Sequence, residues 1–514
     1  MIYLRKAFFF LFSFLPLAAN SQPDSANTPS VPNYLEIGGL FSTTSRTPFW
    51  LQSNQFGTVP RTGSALTVRG GGAKVWTLGR QNTISEWRRR QTSGQSAPRW
   101  QAEVGAEAVA NFGAVTQLLL PQAYGAIRYG NLELFAGRRK QWFGLADSTL
   151  GMGSYIWSGN ALPIPRIQIG LTRFTPVPFT KGWFSVLGSY SDGWFESGRP
   201  VTSELKLHQK QFYGRLGKPG GKFKLYAGFN HQVQWGAKSP YETIDGQMPR
   251  GLINYFHMIV GKGRAAPNFT FFDSTNRIGN HLGTIDFAIE VKGNAADWFF
   301  YRQNIYEDGS LYYLTNIVDG LNGVRVRRKN TLAGSAFTVK ELVLEFLYTK
   351  NQGGSRFVID NDKQRGRDNY FNNAQVRDGW SYFDRGIGTP FIPPTSETVW
   401  KFPNYADFFT SNSRVWALHA GLQGTLLQNL VWSTKLSYSS NGGVYDLPFP
   451  NTAYQFSGLL TLQTETPWLG GMFLKGSLAT DQGGLYRSTT GISLSLRKEF
   501  GLSSSIQSAS YRWR

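Results

Sequence analysis

Residues 222–236, KFKLYAGFNHQVQWG, alternate between two kinds of side chain. The odd positions from Phe223 to Trp235 are mostly apolar, and the even positions from Lys222 to Gln234 are mostly polar. Successive side chains of a strand point to opposite faces, so this segment predicts a β-strand with one apolar and one polar face. It is also much longer than the roughly 5–6 residues of an average globular strand.

The same alternation recurs along the chain, and several runs reach the length of about 9 residues that is typical of strands crossing a membrane. Aromatic residues stand at strand ends, where an interfacial girdle would lie, at Trp235, Tyr348, Trp416 and Tyr454. In a bilayer every backbone polar group must be paired internally, so strands with a lipid face must close into a barrel. At about 25–30 residues per strand and connection, the pattern predicts an all-β fold, a transmembrane antiparallel β-barrel of roughly 16–18 strands. The further alternating runs are 285–291, 342–348, 416–426, 430–438, 454–462, 472–478 and 492–496.

Two segments depart from this pattern. In 239–264, apolar residues at helical spacing, Leu252, Ile253, Phe256, Ile259 and Val260, predict a short helix of about three turns whose apolar stripe packs on a barrel end. Residues 389–412 are rich in proline and aromatic side chains and predict a long structured loop.

Turn signals fall between the alternating runs. They include Asp192-Gly193, Asp319-Gly320, Asn322-Gly323 and Asn441-Gly442.

The N-terminus has the pattern of a secretory signal peptide. Arg5 and Lys6 precede an apolar run from Ala7 to Leu17, and small residues follow. We predict a signal peptide over 1–21 and a barrel over 22–514. No later apolar run is long enough to span a bilayer as a helix. The predicted location is therefore the outer membrane of a Gram-negative cell.

The chain carries a formal net charge of +21 and no cysteine. The absence of cysteine excludes a disulfide framework, a thiol nucleophile and a lipid anchor on cysteine. Export argues against nucleic acid as the partner of the basic charge. The basic clusters Arg88–Arg90, Arg138–Lys140 and Arg325–Lys329 are short, so we expect them in loops or in the barrel interior. A positive, wetted surface attracts acidic polymers such as lipopolysaccharide phosphates or acidic polysaccharide.

The sequence contains no zincin, serine-elbow, Walker or dinucleotide motif, and no two of its five histidines stand at ligand spacing. We therefore predict no catalytic residue, no metal and no cofactor. An outer-membrane enzyme acting on lipid or glycan stays as a separate hypothesis, because any two of the 32 acidic residues could form the carboxylate pair of a glycosidase.

Sugar binding leaves a different trace, in which aromatic faces stack on rings and polar side chains bond hydroxyls or carboxylates. Such residues crowd the stretches 157–170, 207–220 and 229–235. His231 stands on the apolar face of its strand, which predicts either an interfacial position or a bulge. The candidate polysaccharide-binding residues are Trp157, Asn160, Arg166, His208, Lys210, Arg215, Asn230, Gln232, Gln234 and Trp235.

Seven further segments are spread over most of the chain: TPFWLQSNQFG (47–57), GRRKQWFG (137–144), WSGNALPIPRIQIG (157–170), LHQKQFYGRLGKPG (207–220), FNHQVQWG (229–236), DNYFNN (368–373) and GWSYFDRGIGTPFI (379–392). Together these segments resemble the capsule assembly protein Wzi family in its Bacteroidetes form. The resemblance implies an outer-membrane barrel of about 18 strands with a small helical element on the periplasmic side, for which 239–264 is suited. The final residue, Arg514, departs from the aromatic end usual in such barrels, although Tyr511 and Trp513 alternate correctly.

The family resemblance also implies a non-enzymatic, lectin-like protein that binds and organises or anchors capsular or extracellular polysaccharide at the cell surface. The alternative from the residues alone is an outer-membrane porin or specific transporter, because a barrel of this size can hold a water-filled channel. The expected partners are an acidic polysaccharide, outer-membrane lipid with lipopolysaccharide, and the barrel-insertion machinery.

Overall fold

The structure is a computed structural model that describes residues 33–78, 100–267, 269–307, 314–329, 335–358, 366–404, 406–427 and 429–500. The predicted signal peptide, the cluster Arg88–Arg90 and the C-terminal Arg514 lie outside the described residues.

The described strands form one closed antiparallel sheet. β6 and the two-residue β7 both pair with β8, so the 19 paired segments make a barrel of 18 strands. The barrel strands are β1 (Asn33–Ser42), β2 (Ala65–Leu78), β3 (Trp100–Gly113), β4 (Gln117–Tyr129), β5 (Leu132–Arg138), β6 (Arg166–Leu171), β7 (Thr175–Pro176), β8 (Phe184–Trp194), β9 (Lys206–Leu216), β10 (Phe223–Trp235), β11 (Asn280–Lys292), β12 (Ala296–Glu307), β13 (Gly320–Arg328), β14 (Phe337–Tyr348), β17 (Val415–Leu426), β18 (Leu430–Gly443), β19 (Pro448–Thr466), β20 (Met472–Gly483) and β21 (Thr489–Phe500).

The remaining described elements belong to the connections. They are the two-residue strands β15 (Ser381–Tyr382) and β16 (Arg385–Gly386), the helices α1 (Phe49–Gln52), α2 (Leu252–Ile259) and α3 (Phe271–Thr275), and two 3-10 helices at Thr395–Glu397 and Pro467–Leu469. Among the described residues of the predicted loop 389–412, the only regular element is the first 3-10 helix.

Pairing of the first and last strands closes the barrel, from Asn33 opposite Phe500 to Ser42 opposite Gly491. We call the rim that holds Asn33 and Phe500 the terminal end, and the opposite rim the loop end. The four longest connections, 43–64, 139–165, 236–279 and 349–414, all lie at the loop end because each follows a strand that runs away from the terminal end.

The outer wall carries the apolar faces that the sequence predicts. On β10, Phe223, Leu225 and Phe229 are exposed, whereas Lys224 and Asn230 are buried inside. All eight alternating runs of the sequence lie in strands, so the prediction of a transmembrane β-barrel is confirmed. None of the described helices is long and apolar enough to cross a bilayer.

Three long connections fold back into the loop half of the barrel. Their residues 43–64, 139–165, 366–404 and 406–413 form what we call the plug. Its core is an aromatic cluster that includes Trp50, Tyr155, Phe371 and Trp380, all almost fully buried. Trp50 reaches the barrel wall, where its indole N–H donates to Ser437 Oγ at 3.0 Å. The described loops therefore fill the loop half of the interior.

Ion pairs line the interior toward the terminal end, as predicted for two of the basic clusters. Arg139 pairs with Glu133, and Lys140 Nζ lies 2.7 Å from Glu107 Oε1. Farther round the wall, Arg325 lies 3.3 Å from Asp147 Oδ2. Arg139, Lys140 and Arg325 are thus held inside the barrel beside carboxylates, whereas residues 327–329 are exposed.

Three of the predicted turns are wrong. Asp192-Gly193, Asn322-Gly323 and Asn441-Gly442 lie inside β8, β13 and β18 rather than in turns. At Gly323 the reason is packing, because a Cβ there would lie 2.2 Å from the ring of Tyr301 on the neighbouring strand. The glycine makes room for an aromatic ring on the inner wall.

The helix predicted within 239–264 exists as α2, which spans 8 residues and not three turns. Of its predicted apolar stripe, only Ile259 packs against the barrel, half-buried beside Met258. Leu252, Ile253 and Phe256 are 77%, 61% and 63% exposed, and the residues buried against the wall are Asn254 and Met258. The predicted packing of the stripe is therefore wrong, because the opposite side of the helix contacts the strands.

Candidate functional site

The structure divides the ten predicted binding residues between the inside and the outside of the barrel. Trp157, Asn160, Arg166, Arg215, Asn230, Gln232 and Gln234 lie in the plug or point into the interior, and His208, Lys210 and Trp235 point outward. They do not meet on one surface, so their role in binding polysaccharide stays a prediction.

Arg166 lies at the start of β6 and ties the plug to the wall. Its guanidinium donates to Gln209 Oε1 at 2.8 Å and to Gln141 Oε1. It also lies 4.8 Å from the ring centroid of Trp157 and 5.0 Å from that of Phe143. With 2% of its surface exposed, Arg166 is committed to internal contacts.

The amide side chains of β10 hold the same plug. Gln232 donates to the carbonyl of Ile156 at 3.3 Å, and Gln234 donates to the carbonyl of Gly379 at 2.9 Å. Within the plug, Asn160 donates to the carbonyl of Gly386 at 3.0 Å. These side chains satisfy buried backbone groups of irregular loops, which have no strand partners of their own.

The other two inward residues have wall partners. Asn230 donates to the hydroxyl of Tyr213, and Arg215, toward the terminal end of β9, donates to Ser185 Oγ at 3.1 Å.

The three outward residues lie beneath helix α2. His208 Nδ1 is 3.1 Å from Asp192 Oδ1, and Lys210 Nζ donates to the carbonyl of Ile259 at the end of the helix. The ring of Trp235 packs 5.2 Å from that of Tyr255. His208 and Trp235 are buried there, so a ligand in solution has no direct access to their rings.

A surface that the residue-by-residue prediction missed lies on the hairpin β15–β16 of the plug. Its two-residue turn is Phe383-Asp384, with φ of 49° and 56°, as a type I′ turn requires. A bulky residue in the left-handed region is uncommon and is often kept at functional sites. This turn holds the Phe383 ring 51% exposed at the loop end.

Polar groups hold the turn that carries this ring. The Arg61 guanidinium donates to Asp384 Oδ2 and to the Asp384 carbonyl, both at 2.7 Å, and to Glu397 Oε1 at 3.3 Å. Ser396 Oγ donates to the same Asp384 carboxylate at 3.2 Å. We call Phe383, Asp384, Arg61, Ser396 and Glu397 the hairpin platform.

Buried neighbours hold the platform rigid from below. The ring of Tyr382 lies edge-on 4.7 Å from that of Phe383, and Arg138 donates to its hydroxyl at 2.6 Å. Burial raises the pKa of Tyr382 to about 12. Burial lowers the pKa of Arg385 to about 10, so its guanidinium, which donates to the carbonyl of Val59, is still charged at neutral pH.

An ionic network fixes the base of the hairpin. Asp378 accepts the backbone N–H groups of Val201 at 3.0 Å and Thr202 at 2.7 Å. Arg199, whose side chain is fully buried, lies 3.4 Å from both Asp378 and Glu196 and donates to the carbonyl of Ser381 at 2.8 Å. This network leaves the hairpin little freedom to move.

Glu196 contacts the platform directly. Its carboxylate accepts the Phe383 N–H at 2.8 Å. Burial raises the pKa of Glu196 although Arg199 opposes the shift.

A second aromatic and ionic cluster lies beside this network. The Arg377 guanidinium stacks 3.4 Å from the ring centroid of Tyr241 and 5.0 Å from that of Phe408, and it pairs with Asp407. Tyr241 donates to the same Asp407 at 3.0 Å. Hydrogen bonds from Arg377 and Tyr241 outweigh the effect of burial and lower the pKa of Asp407.

Aromatic faces flanked by charged and amide groups suit carbohydrate, since a ring can stack while hydroxyls accept and donate hydrogen bonds. The sequence held one signal for this surface, the segment GWSYFDRGIGTPFI (379–392), which contains the whole hairpin. The turn itself gave none, because Phe-Asp lacks the glycine or asparagine that marks most two-residue turns.

The barrel is similar to Wzi of Escherichia coli, an outer membrane protein involved in group 1 capsule assembly and described as a carbohydrate-binding β-barrel. The TM-score is 0.56 at 16% identity, covering 92% of this chain and 85% of that chain, which establishes the likeness of fold. OpdQ of Pseudomonas aeruginosa aligns with a TM-score of 0.43 at 6% identity, covering 91% of this chain and 98% of that one.

OccAB4 of Acinetobacter baumannii aligns with a TM-score of 0.42 at 9% identity, covering 92% of this chain and 99% of that one. A search of curated proteins found no match to this chain. The family model of the capsule assembly protein Wzi, however, matches residues 79–393, more than half of the chain, and the chain therefore belongs to the Wzi family of capsule assembly proteins.

Proposed function

We propose that this barrel lies in the outer membrane and binds capsular or extracellular polysaccharide at the cell surface, where it organises or anchors the polymer. The observation that carries the proposal is the hairpin platform, in which the exposed Phe383 ring stands on a turn that Arg61 fixes through Asp384 and Glu397. Rigid aromatic anchors lose little conformational entropy on binding.

The proposal places the loop end outside the cell. Outer-membrane barrels have short periplasmic turns and longer external loops, and the four longest connections of this chain share one rim. On this assignment the hairpin platform faces the medium. Helix α2 then also lies on the external side, whereas the family resemblance had implied a periplasmic helix.

Binding without turnover is the role that we assign. The carboxylates of the hairpin platform, Asp384 and Glu397, are both engaged by the same guanidinium of Arg61. That arrangement suits recognition of hydroxyl or carboxylate groups on a polymer. An acidic polysaccharide is supported by the formal net charge of +21 carried by the whole chain.

The filled loop half of the interior supports this role over a diffusion porin. Trp50, Tyr155, Phe371 and Trp380 pack inside the wall, where an open channel would need water. We expect the protein in a planar bilayer to conduct little current, whereas a porin would conduct steadily. Steady conductance of the unmodified protein would favour the alternative of a porin or transporter.

The direct test uses purified protein and the polysaccharide of its own host. We expect binding at low ionic strength that weakens as salt is added, because screening reduces the attraction between charges on wetted surfaces. A gene deletion in the host should shift polysaccharide from the cells into the medium with total synthesis unchanged. No affinity at low salt, together with an unchanged ratio of retained to shed polymer, would overturn the proposal.

A further inference from the structure

The connection 236–279 folds down over the outside of the barrel wall. Gln232 and Gln234 of β10 donate to plug carbonyls inside the barrel, so the alternate residues Val233 and Trp235 point outward. These two outward residues are nevertheless buried, in a cluster with Met258 and Ile278. Helix α2 therefore covers the outer face of the last turns of β10.

Polar groups fill the wall beneath this cover. His231 stays on the outer face, since the β10–β11 register contains no bulge, and its Nε2 lies 2.8 Å from His281 Nδ1. Tyr255 of α2 donates to Asp192 at 2.8 Å. Without the cover these outward groups would face the bilayer, where polar side chains are costly.

The cover also fills a gap in the apolar band. On β10 the outward residues that α2 does not cover run from Phe223 to Phe229. At 3.4 Å per residue they extend about 20 Å along the strand, which is a height of about 16 Å across the membrane at a strand tilt of about 40°. On β3 the outward residues from Trp100 to Phe112 are all apolar and give a height of about 31 Å by the same arithmetic. A lipid-facing band is about 25 Å tall, so β10 alone falls short.

The side of α2 that faces away from the barrel carries the exposed apolar residues that β10 lacks near the loop end. Leu252, Ile253, Phe256 and Val260 form a stripe that points away from the wall and is 53–77% exposed. An exposed cation stands just beyond each end of the helix, Arg250 before it and Lys262 after it. An apolar stripe bounded by cations is typical of helices that lie in a membrane interface.

We propose that α2 is a lipid-contacting helix on the outer wall, with its stripe among the acyl chains of the leaflet at the loop end. The stripe continues the exposed apolar surface of β10, and the buried side of the helix shields the pair His231 and His281 from lipid. Arg250 and Lys262 extend toward the headgroup phosphates. The proposal depends on the transmembrane barrel and not on carbohydrate binding.

The chain has no cysteine, so single-cysteine variants can carry one fluorophore without a background. We would label Phe256→Cys in phosphatidylcholine vesicles, with and without a lipid that bears a nitroxide on its acyl chain. Val104→Cys on the bare wall is the lipid-facing control, and Phe383→Cys on the hairpin platform is the water-facing control. Ile253→Cys gives a second position on the stripe if Phe256→Cys does not fold.

We expect the stripe label to behave like the label at 104, with a blue-shifted emission that the nitroxide lipid quenches and aqueous iodide does not. A label quenched by iodide and insensitive to the nitroxide, as expected at 383, would overturn the proposal. Protection from both quenchers would also overturn it, because it would mean that a protein surface such as a second copy of the chain covers the stripe.

Discussion

Replacing Phe383 by alanine removes the exposed ring of the hairpin platform and is the sharpest test of the proposed binding role. The ring is 51% exposed, and a phenylalanine side chain presents about 200 Å² in all, so about 100 Å² is open to a ligand. At about 25 cal/mol per Å² this area contributes at most about 2.5 kcal/mol. A sugar ring covers only one face, which halves the value to about 1.2 kcal/mol.

We therefore expect Phe383→Ala to weaken binding of the host polysaccharide by about 7- to 60-fold. Titration calorimetry or a retention assay on immobilised polymer at low salt would measure the change. Phe383→Gly should weaken binding equally while folding at least as well, because glycine tolerates the φ of 49° at this position.

The matched control is Trp183→Ala, which removes an aromatic ring of 53% exposure from the terminal end of the barrel. It should leave affinity unchanged. If both Phe383 variants bind as tightly as the unmodified protein, the hairpin platform is not the binding surface.

Three further outcomes follow from the plug. Trp380→Ala removes a fully buried ring and should destabilise the packing of the plug by about 3–5 kcal/mol, so we expect the variant to conduct current in a planar bilayer. If the variant conducts no more current than the unmodified protein, other contacts keep the lumen closed. Asp378→Ala leaves the buried Arg199 without one of its carboxylate partners and should lower the free energy of unfolding by about 3–5 kcal/mol. Asp407 is exposed, so Asp407→Ala should change the free energy of unfolding by only about 0–1 kcal/mol. Equal effects of the two variants in thermal unfolding would contradict this difference. Because the pKa of Glu196 is raised in the folded protein, its contribution to stability is full below the ordinary pKa of 4.5 and is lost as pH rises through the folded value; Glu196→Gln should remove that pH dependence from thermal unfolding.

The barrel could be predicted because its signal is local and repeated. Alternation with period two marks each strand by itself, and the eight runs found in the sequence all lie in strands. The turn signals were weaker. Asn322-Gly323 has the residues of a hairpin turn, but it lies in a strand, where its glycine leaves space for the Tyr301 ring on the inner wall.

The binding residues could not be chosen from composition, because the same side chains serve three different surroundings. Arg166 and Gln232 satisfy buried backbone and amide groups, and His208 lies under a helix that returns from far along the chain. A polar residue in a strand looks the same in sequence whether its neighbour is water, a loop or a helix.

The sequence by itself determined the strands, their two faces and the family, since these depend on neighbouring residues and on motifs. Tertiary structure alone decided which loops enter the lumen and which loop covers the outer wall. His231 illustrates the difference. Its odd-numbered position in the alternation puts it on the lipid side of β10, and only the fold of 236–279 shows how it is shielded there. Burial and exposure of a loop depend on contacts between distant segments, and no local pattern encodes those contacts.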